Sequence, residues 1–113
     1  MSALAASPIL LASAAATEKM HARPIPSTRE PLPVVGCGTW RTFDVGQSAE
    51  DRGRLREVLQ ILFDSGGSVI DSSPMYGPAE GVVGDLLAAM NARDKAFVAT
   101  KVWTIGRDEG IAQ

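Results

Sequence analysis

Apolar residues recur at helical spacing in two stretches of this chain. Leu55, Val58, Leu59 and Leu62 form one stripe, and Ala79, Val82, Val83, Leu86, Leu87 and Met90 form a cleaner second one. Each stripe carries its own start and stop signals. Ser48 can cap the first helix, with Glu50 and Asp51 suiting the positive end of its dipole. Gly66-Gly67 ends it, because glycine takes the left-handed conformation that closes a helix without a Cβ clash. Pro78 suits the first turn of the second helix, and Asn91-Ala92-Arg93-Asp94 makes the return after it.

Around these stripes lie short apolar runs without helical period, and they predict strands. Leu32, Val34 and Val35 lead into Gly-Cys-Gly-Thr-Trp, a strand ending near Trp40. Ser68 to Asp71 is the next, apolar at its centre as a strand covered on both faces would be. Ala96 to Lys101 is the third, and a polar helix start follows at Arg107, Asp108 and Glu109. Strand, helix, strand, helix, strand, with connections of this length, implies parallel strands joined by crossovers and an α/β class. Upstream, Pro24, Pro26, Pro31 and Pro33 exclude a helix, and Ser27 to Glu30 can turn a small hairpin. Gly36 and Gly38 remove side chains from the first strand where another group can come close to the backbone.

Composition narrows the function classes. The net charge of −2, without a run of like charges, gives no footprint for nucleic acid or for an anionic membrane surface. A single cysteine, Cys37, excludes an intrachain disulfide and a multi-cysteine metal site, and its setting in a strand suits a small buried hydrophobe. His21 is the one histidine and sits in the proline-rich N-terminal stretch, so no metal site is expected. The stretch Ser-Ala-Leu-Ala-Ala-Ser-Pro-Ile-Leu-Leu-Ala-Ser-Ala-Ala-Ala near the start is uncharged and too short to span a membrane. It suits either the apolar part and cleavage zone of a secretory signal lacking its basic segment, or a disordered Ala-rich tail. A signal implies export to the periplasm, by a twin-arginine route if an arginine-bearing leader preceded Met1; a tail implies a cytoplasmic protein. Residues 1–22 are therefore set apart, and 23–113 are taken as the folded part.

The candidate chemistry lies at the strand exits. Asp71 closes the second strand, Tyr76 stands in the loop after it, and Lys101 closes the third. In parallel α/β proteins the loops at the C-terminal strand ends converge, so an acid, a phenol and an amine can meet there. A phenol with a pKa of about 10 is a reluctant acid at neutral pH. A neighbouring ammonium favours its phenolate, typically by about 1–3 pKa units. A carboxylate can anchor that ammonium by a charge-assisted hydrogen bond. Taken singly, Asp71 can equally cap a turn, Tyr76 pack on Met75 and Lys101 be a solvated strand-end charge.

Together, Val-Val-Gly-Cys-Gly-Thr-Trp, Val-Ile-Asp-Ser-Ser-Pro-Met-Tyr-Gly and Ala-Thr-Lys-Val-Trp resemble the first third of an aldo/keto reductase, from about Ile25 onward. The resemblance implies the first three strand–helix units of a (β/α)8 TIM barrel, preceded by a short N-terminal hairpin. It implies an NADPH-dependent oxidoreductase acting on a small-molecule carbonyl substrate. Of the family's catalytic Asp, Tyr, Lys and His, the first three map to Asp71, Tyr76 and Lys101, and no residue here fills the fourth. Gly38, Thr39 and Asp71 map beside the cofactor. Trp40 and Trp103 map to the substrate pocket, or are packing residues. A full barrel needs about 250 residues, so the chain is expected to be an N-terminal fragment, inactive by itself. The alternative is a non-catalytic module that pairs with another chain through an open sheet edge.

Overall fold

The computed structural model describes residues 20–113. The signal or tail expected up to residue 22 therefore falls, apart from its last three residues, outside the described residues. An antiparallel pair, β1 (Ala22–Pro24) and β2 (Pro31–Pro33), comes first. Between them Arg29 takes a left-handed φ of 64°, and the Ile25 and Arg29 amides bond the carbonyls of Glu30 and Ile25. Prolines bound both strands, which limits them to three residues each, because proline brings no amide proton to a ladder.

The remainder is an α/β unit. Strands β3 (Gly36–Gly38), β4 (Val69–Asp71) and β5 (Phe97–Ala99) form one parallel sheet in that spatial order. Helix α1 (Ala49–Asp64) connects β3 to β4, helix α2 (Ala79–Ala89) connects β4 to β5, and a short α3 (Arg107–Ala112) follows. The Ser48 hydroxyl accepts from the Asp51 amide at 3.3 Å and caps α1. Gly66, with φ 81°, stands just beyond its end. Arg52 ties α1 to α2 through Asp85 at 2.8 Å and also donates to the Gly46 carbonyl.

The core lies between the helices and one face of the sheet. Leu55 and Leu59 of α1, Val82, Val83, Leu86 and Leu87 of α2, and Ile70 of β4 are buried together with Phe43, Ala79 and Ala92. Burying each large aliphatic of this kind contributes about 1.5–3 kcal/mol. Val58 departs from the expected stripe: it is 44% exposed, and Leu62 is only half-buried. The burial of α1 is carried by Leu55 and Leu59, which sit four residues apart and so directly above one another.

Five further expectations need correction. The first strand stops at Gly38 rather than near Trp40. The Thr39 amide bonds the Asp71 carbonyl at 3.0 Å, after which the chain turns back on itself. There the Thr42 amide bonds the Trp40 carbonyl, with Arg41 at φ 63°. The third strand is shorter than 96–101, because Ala96 ends a 3-10 turn at Arg93–Lys95. Pro78 is the cap of α2 and not its first helical residue; its carbonyl accepts from the Val82 amide. Strand β4 is covered on one face only. Ile70 is fully buried, whereas Val69 and Asp71 on the opposite face are half-buried. Cys37 is likewise half-buried, and burial pushes its thiol pKa up, which favours the inert thiol.

Candidate active site

Strand register builds the site. Gly38, Asp71 and Ala99 are aligned across β3, β4 and β5, in a row at the C-terminal end of the sheet. Alternation puts them on the face opposite Ile70. Lys101 lies two residues beyond Ala99 and so rises on the same side as Asp71. Its ammonium donates to both Asp71 carboxylate oxygens, at 2.9 and 3.0 Å, and to the Ser72 carbonyl at 2.7 Å. An ammonium carries three protons and no acceptor, so these partners orient it closely. The hydrogen bonding to Asp71 holds its pKa above the ordinary lysine value. Burial opposes that rise, and the negative charge of Asp71 and the nearby Tyr76 add to it.

Tyr76 comes to the same place by another route. Its loop leaves β4 through Ser72 and Ser73, both buried, and its own amide bonds the Ser73 carbonyl at 3.0 Å. The Lys101 nitrogen stands 5.3 Å from the centre of the Tyr76 ring. Trp40 also lies beside Tyr76, with ring centroids 6.4 Å apart and planes tilted by 39°. A cleft of about 290 Å³ results, lined by Trp40, Ser73, Met75, Tyr76, Lys101 and Trp103. Asp71, Tyr76 and Lys101 are thus gathered at one point, with both tryptophans on its wall.

Gly38 and Thr39 differ from one another. No heavy atom lies within 4 Å of where a Cβ on Gly38 would stand, so the space above it is open. Thr39 is fully buried, and its hydroxyl donates to the Ser72 hydroxyl at 2.9 Å. Its side chain therefore braces the β3 and β4 exits against each other from inside the protein.

Sequence reasoning passed over Ser72, Ser73 and Asp44. Ser72 holds both Lys101 and Thr39. The Ser73 hydroxyl accepts from the Met75 amide at 3.3 Å and shapes the loop that carries Tyr76. The Asp44 carboxylate packs against Gly77, directly after Tyr76. A signal existed for the serines, since small polar residues directly after a strand-closing acid suit a buried turn. None existed for Asp44, whose contact spans more than thirty residues of chain.

A larger cavity, about 640 Å³, opens at the other end of the sheet under the hairpin, beside His21, Ile25, Leu32, Val34, Gly36 and Val69. It brings together no acid–base set, so the chemistry is placed at the smaller cleft. No group of metal-ligating side chains forms among the described residues, and no helix among them is long and apolar enough to cross a membrane.

Comparison with known proteins bears on this geometry. Residues 34–113 match the aldo/keto reductase family. Methylglyoxal reductase YeaE of Escherichia coli is 37% identical over 84 residues, which cover 71% of this chain and 28% of that protein. An aldo-keto reductase from Klebsiella pneumoniae, solved in complex with NADPH, superposes with a TM-score of 0.54 at 32% identity, over 66% of this chain and 25% of that one. A solved protein from Pseudomonas aeruginosa, assigned to the aldo-keto reductases, has a TM-score of 0.60 at 26% identity, over 76% of this chain and 34% of that one. The chain spans only about a third or less of each of these proteins.

Proposed function

This chain belongs to the aldo/keto reductase family, and we propose that it carries the proton-delivering side of a site that reduces a small carbonyl compound to an alcohol. One observation carries the reading: the Lys101 ammonium, held by both oxygens of Asp71 and by the Ser72 carbonyl, stands beside the Tyr76 ring in an open cleft.

Tyr76 gives its phenolic proton to the carbonyl oxygen as that oxygen gains negative charge. Lys101 stabilises the phenolate left behind, as a fixed cation does at close range. Asp71 keeps Lys101 charged and aimed, and Ser72 fixes the remaining direction. This is general acid catalysis with a donor assisted by a neighbouring cation. Trp40, Met75 and Trp103 shape the apolar wall against which a small substrate packs.

Reduction also needs a hydride on carbon, and the Klebsiella relative is described with NADPH. The residues present suit the reacting end of such a cofactor. The space above Gly38 is open, and Gly38 adjoins Asp71 across the ladder. Gly38, the backbone at Thr39, and Asp71 are the residues that would lie against it. When bound, the reduced nicotinamide supplies the hydride to the carbonyl carbon. In this reading β3, β4 and β5, with α1 and α2, are the first units of a (β/α)8 barrel.

The test uses a polypeptide in which this sequence is joined to the rest of such a barrel. Tyr76→Phe abolishes carbonyl reduction there and leaves NADPH binding nearly intact. Retained turnover would remove Tyr76 from the role. A coding sequence that continues with five more strand–helix units, and a histidine at the end of the next strand, is also expected.

A second reading rests on the sheet order, in which β3 and β5 both lie at edges of the described sheet. Unpaired edges accept strands from other chains. On this reading the chain is a non-catalytic module. Size-exclusion chromatography separates the two: a discrete oligomer supports the module, and a chain that runs as a monomer supports the reductase reading.

A further inference from the structure

We propose that Glu80 and Thr100 are positioning residues, whose hydrogen bond sets where Tyr76 stands relative to Lys101. The inference rests on the role given to Tyr76 above and says what fixes its placement.

Tyr76 and Lys101 leave different strands, so their separation depends on whatever links the two exits. The last backbone link is the Ser72 amide to the Ala99 carbonyl, at 2.8 Å. Beyond it two side-chain links cross between the β4 loop and the β5 exit. Lys101 bonds Asp71 and the Ser72 carbonyl, at the start of the loop that carries Tyr76. The Thr100 hydroxyl donates to the Glu80 carboxylate, at the end of that loop. Thr100 and Lys101 are consecutive residues. The segment 71–80 is therefore fastened at both ends to one dipeptide, with Tyr76 between the fastenings.

The internal bonds of the loop cannot do this. The Tyr76 amide bonds Ser73, and the Ala79 amide bonds the Tyr76 carbonyl at 3.2 Å. Both give the loop its shape, and neither ties it to β5. Glu80 is a firm point of attachment. It is the second residue of α2, next to Ala79, which is fully buried in the core. Glu80 and Thr100 are themselves exposed, and neither lines the cleft. They act on Tyr76 through the backbone and not by contact with substrate.

The test uses the whole chain and needs no turnover. Tyr76 is its only tyrosine, so a ring-labelled tyrosine gives a single magnetic-resonance signal. Lys101→Met moves that signal in the otherwise unaltered chain, because the ammonium stands 5.3 Å from the ring centre. In Thr100→Val, and independently in Glu80→Ala, the response to Lys101→Met is lost. Thr100→Ser, which keeps the hydroxyl, retains it. A full response in either Thr100→Val or Glu80→Ala overturns the proposal. Loss of cooperative unfolding in both also overturns it, because the bond would then support the fold and not the loop. The role of Tyr76 fails separately, on the turnover of Tyr76→Phe.

Discussion

Lys101 and Asp71 meet across the exits of two adjacent parallel strands, with the ammonium 2.9 and 3.0 Å from the two carboxylate oxygens. The pair has a consequence for stability that pH reveals. Hydrogen bonding to Asp71 raises the Lys101 pKa above its ordinary value. A base whose folded pKa is raised adds stability that is fully present below its unfolded pKa. That stability is lost as pH rises through the folded value. The wild-type chain should therefore lose stability from about pH 10 upward more steeply than Lys101→Met. Urea midpoints measured for both proteins across the alkaline range check this, and parallel curves would contradict it.

The bond from Lys101 to Asp71 should also matter to the proposed chemistry. Asp71→Asn keeps the shape and one acceptor but removes the charge that holds the ammonium. In a complete reductase containing this sequence, kcat should fall, by up to the about 10²–10⁴-fold that general acid catalysis typically contributes. KM for the carbonyl compound should change little, since Asp71 does not line the cleft. An unchanged kcat would detach Asp71 from the mechanism.

Gly77 follows Tyr76 directly and adopts φ 57°. A Cβ added there would stand 2.6 Å from an Asp44 carboxylate oxygen. Gly77→Ala therefore meets two costs. The left-handed backbone costs a non-glycine residue roughly 1–2 kcal/mol, and Asp44 must move. Gly77→Ala should lower the urea midpoint, and Asp44→Ala in the same chain should restore part of the loss but not the backbone share. Full restoration would mean the conformation itself is unstrained.

Much of this was legible in the chain. The stripes ending at Leu62 and Met90 announced both long helices, and Ser48 and Gly66 marked the ends of the first. Asp71, Tyr76 and Lys101 could be picked out because residue type and strand-end placement are both local properties. Other features were not local. The strand expected to run to Trp40 ends at Gly38, because after the Thr39 amide makes its last cross-strand bond, to Asp71, the chain turns back through Trp40 to Phe43, whose amide bonds the Thr39 carbonyl. Val58 fits the helical period yet faces outward, since the buried arc of α1 is narrower than the apolar one. The contacts of Glu80 with Thr100, and of Asp44 with Gly77, join residues whose types carry no mutual signal. Only the assembled sheet brings them together.

Leu59 tests the core. It is fully buried on α1, among side chains from α2 and β4. Leu59→Ala should cost about 2–5 kcal/mol, from lost burial plus the cavity left behind. Small domains have only about 5–15 kcal/mol in total. Loss of a cooperative urea transition, or a midpoint greatly lowered, is therefore expected. Leu62→Ala, at a half-buried position, should cost clearly less. Equal effects would place the core elsewhere.

The two glycines of β3 make opposite predictions from one kind of substitution. Neither has a positive φ, so alanine is conformationally acceptable at both. A Cβ on Gly36 would stand 2.8 Å from the Val69 Cβ and 3.0 Å from the Val69 carbonyl oxygen. A branched side chain and a ladder carbonyl cannot both retreat, so Gly36→Ala should destabilise by about 1–3 kcal/mol, as overpacking does. A Cβ on Gly38 meets nothing within 4 Å. Gly38→Ala should leave the urea midpoint unchanged or raise it slightly, because alanine loses less backbone freedom on folding. In a complete reductase the same methyl group would fill the open space beside Asp71 and weaken NADPH binding. Calorimetric titration with NADPH, set beside the urea midpoints, reads both effects. Binding unaffected by Gly38→Ala would move the cofactor away from β3.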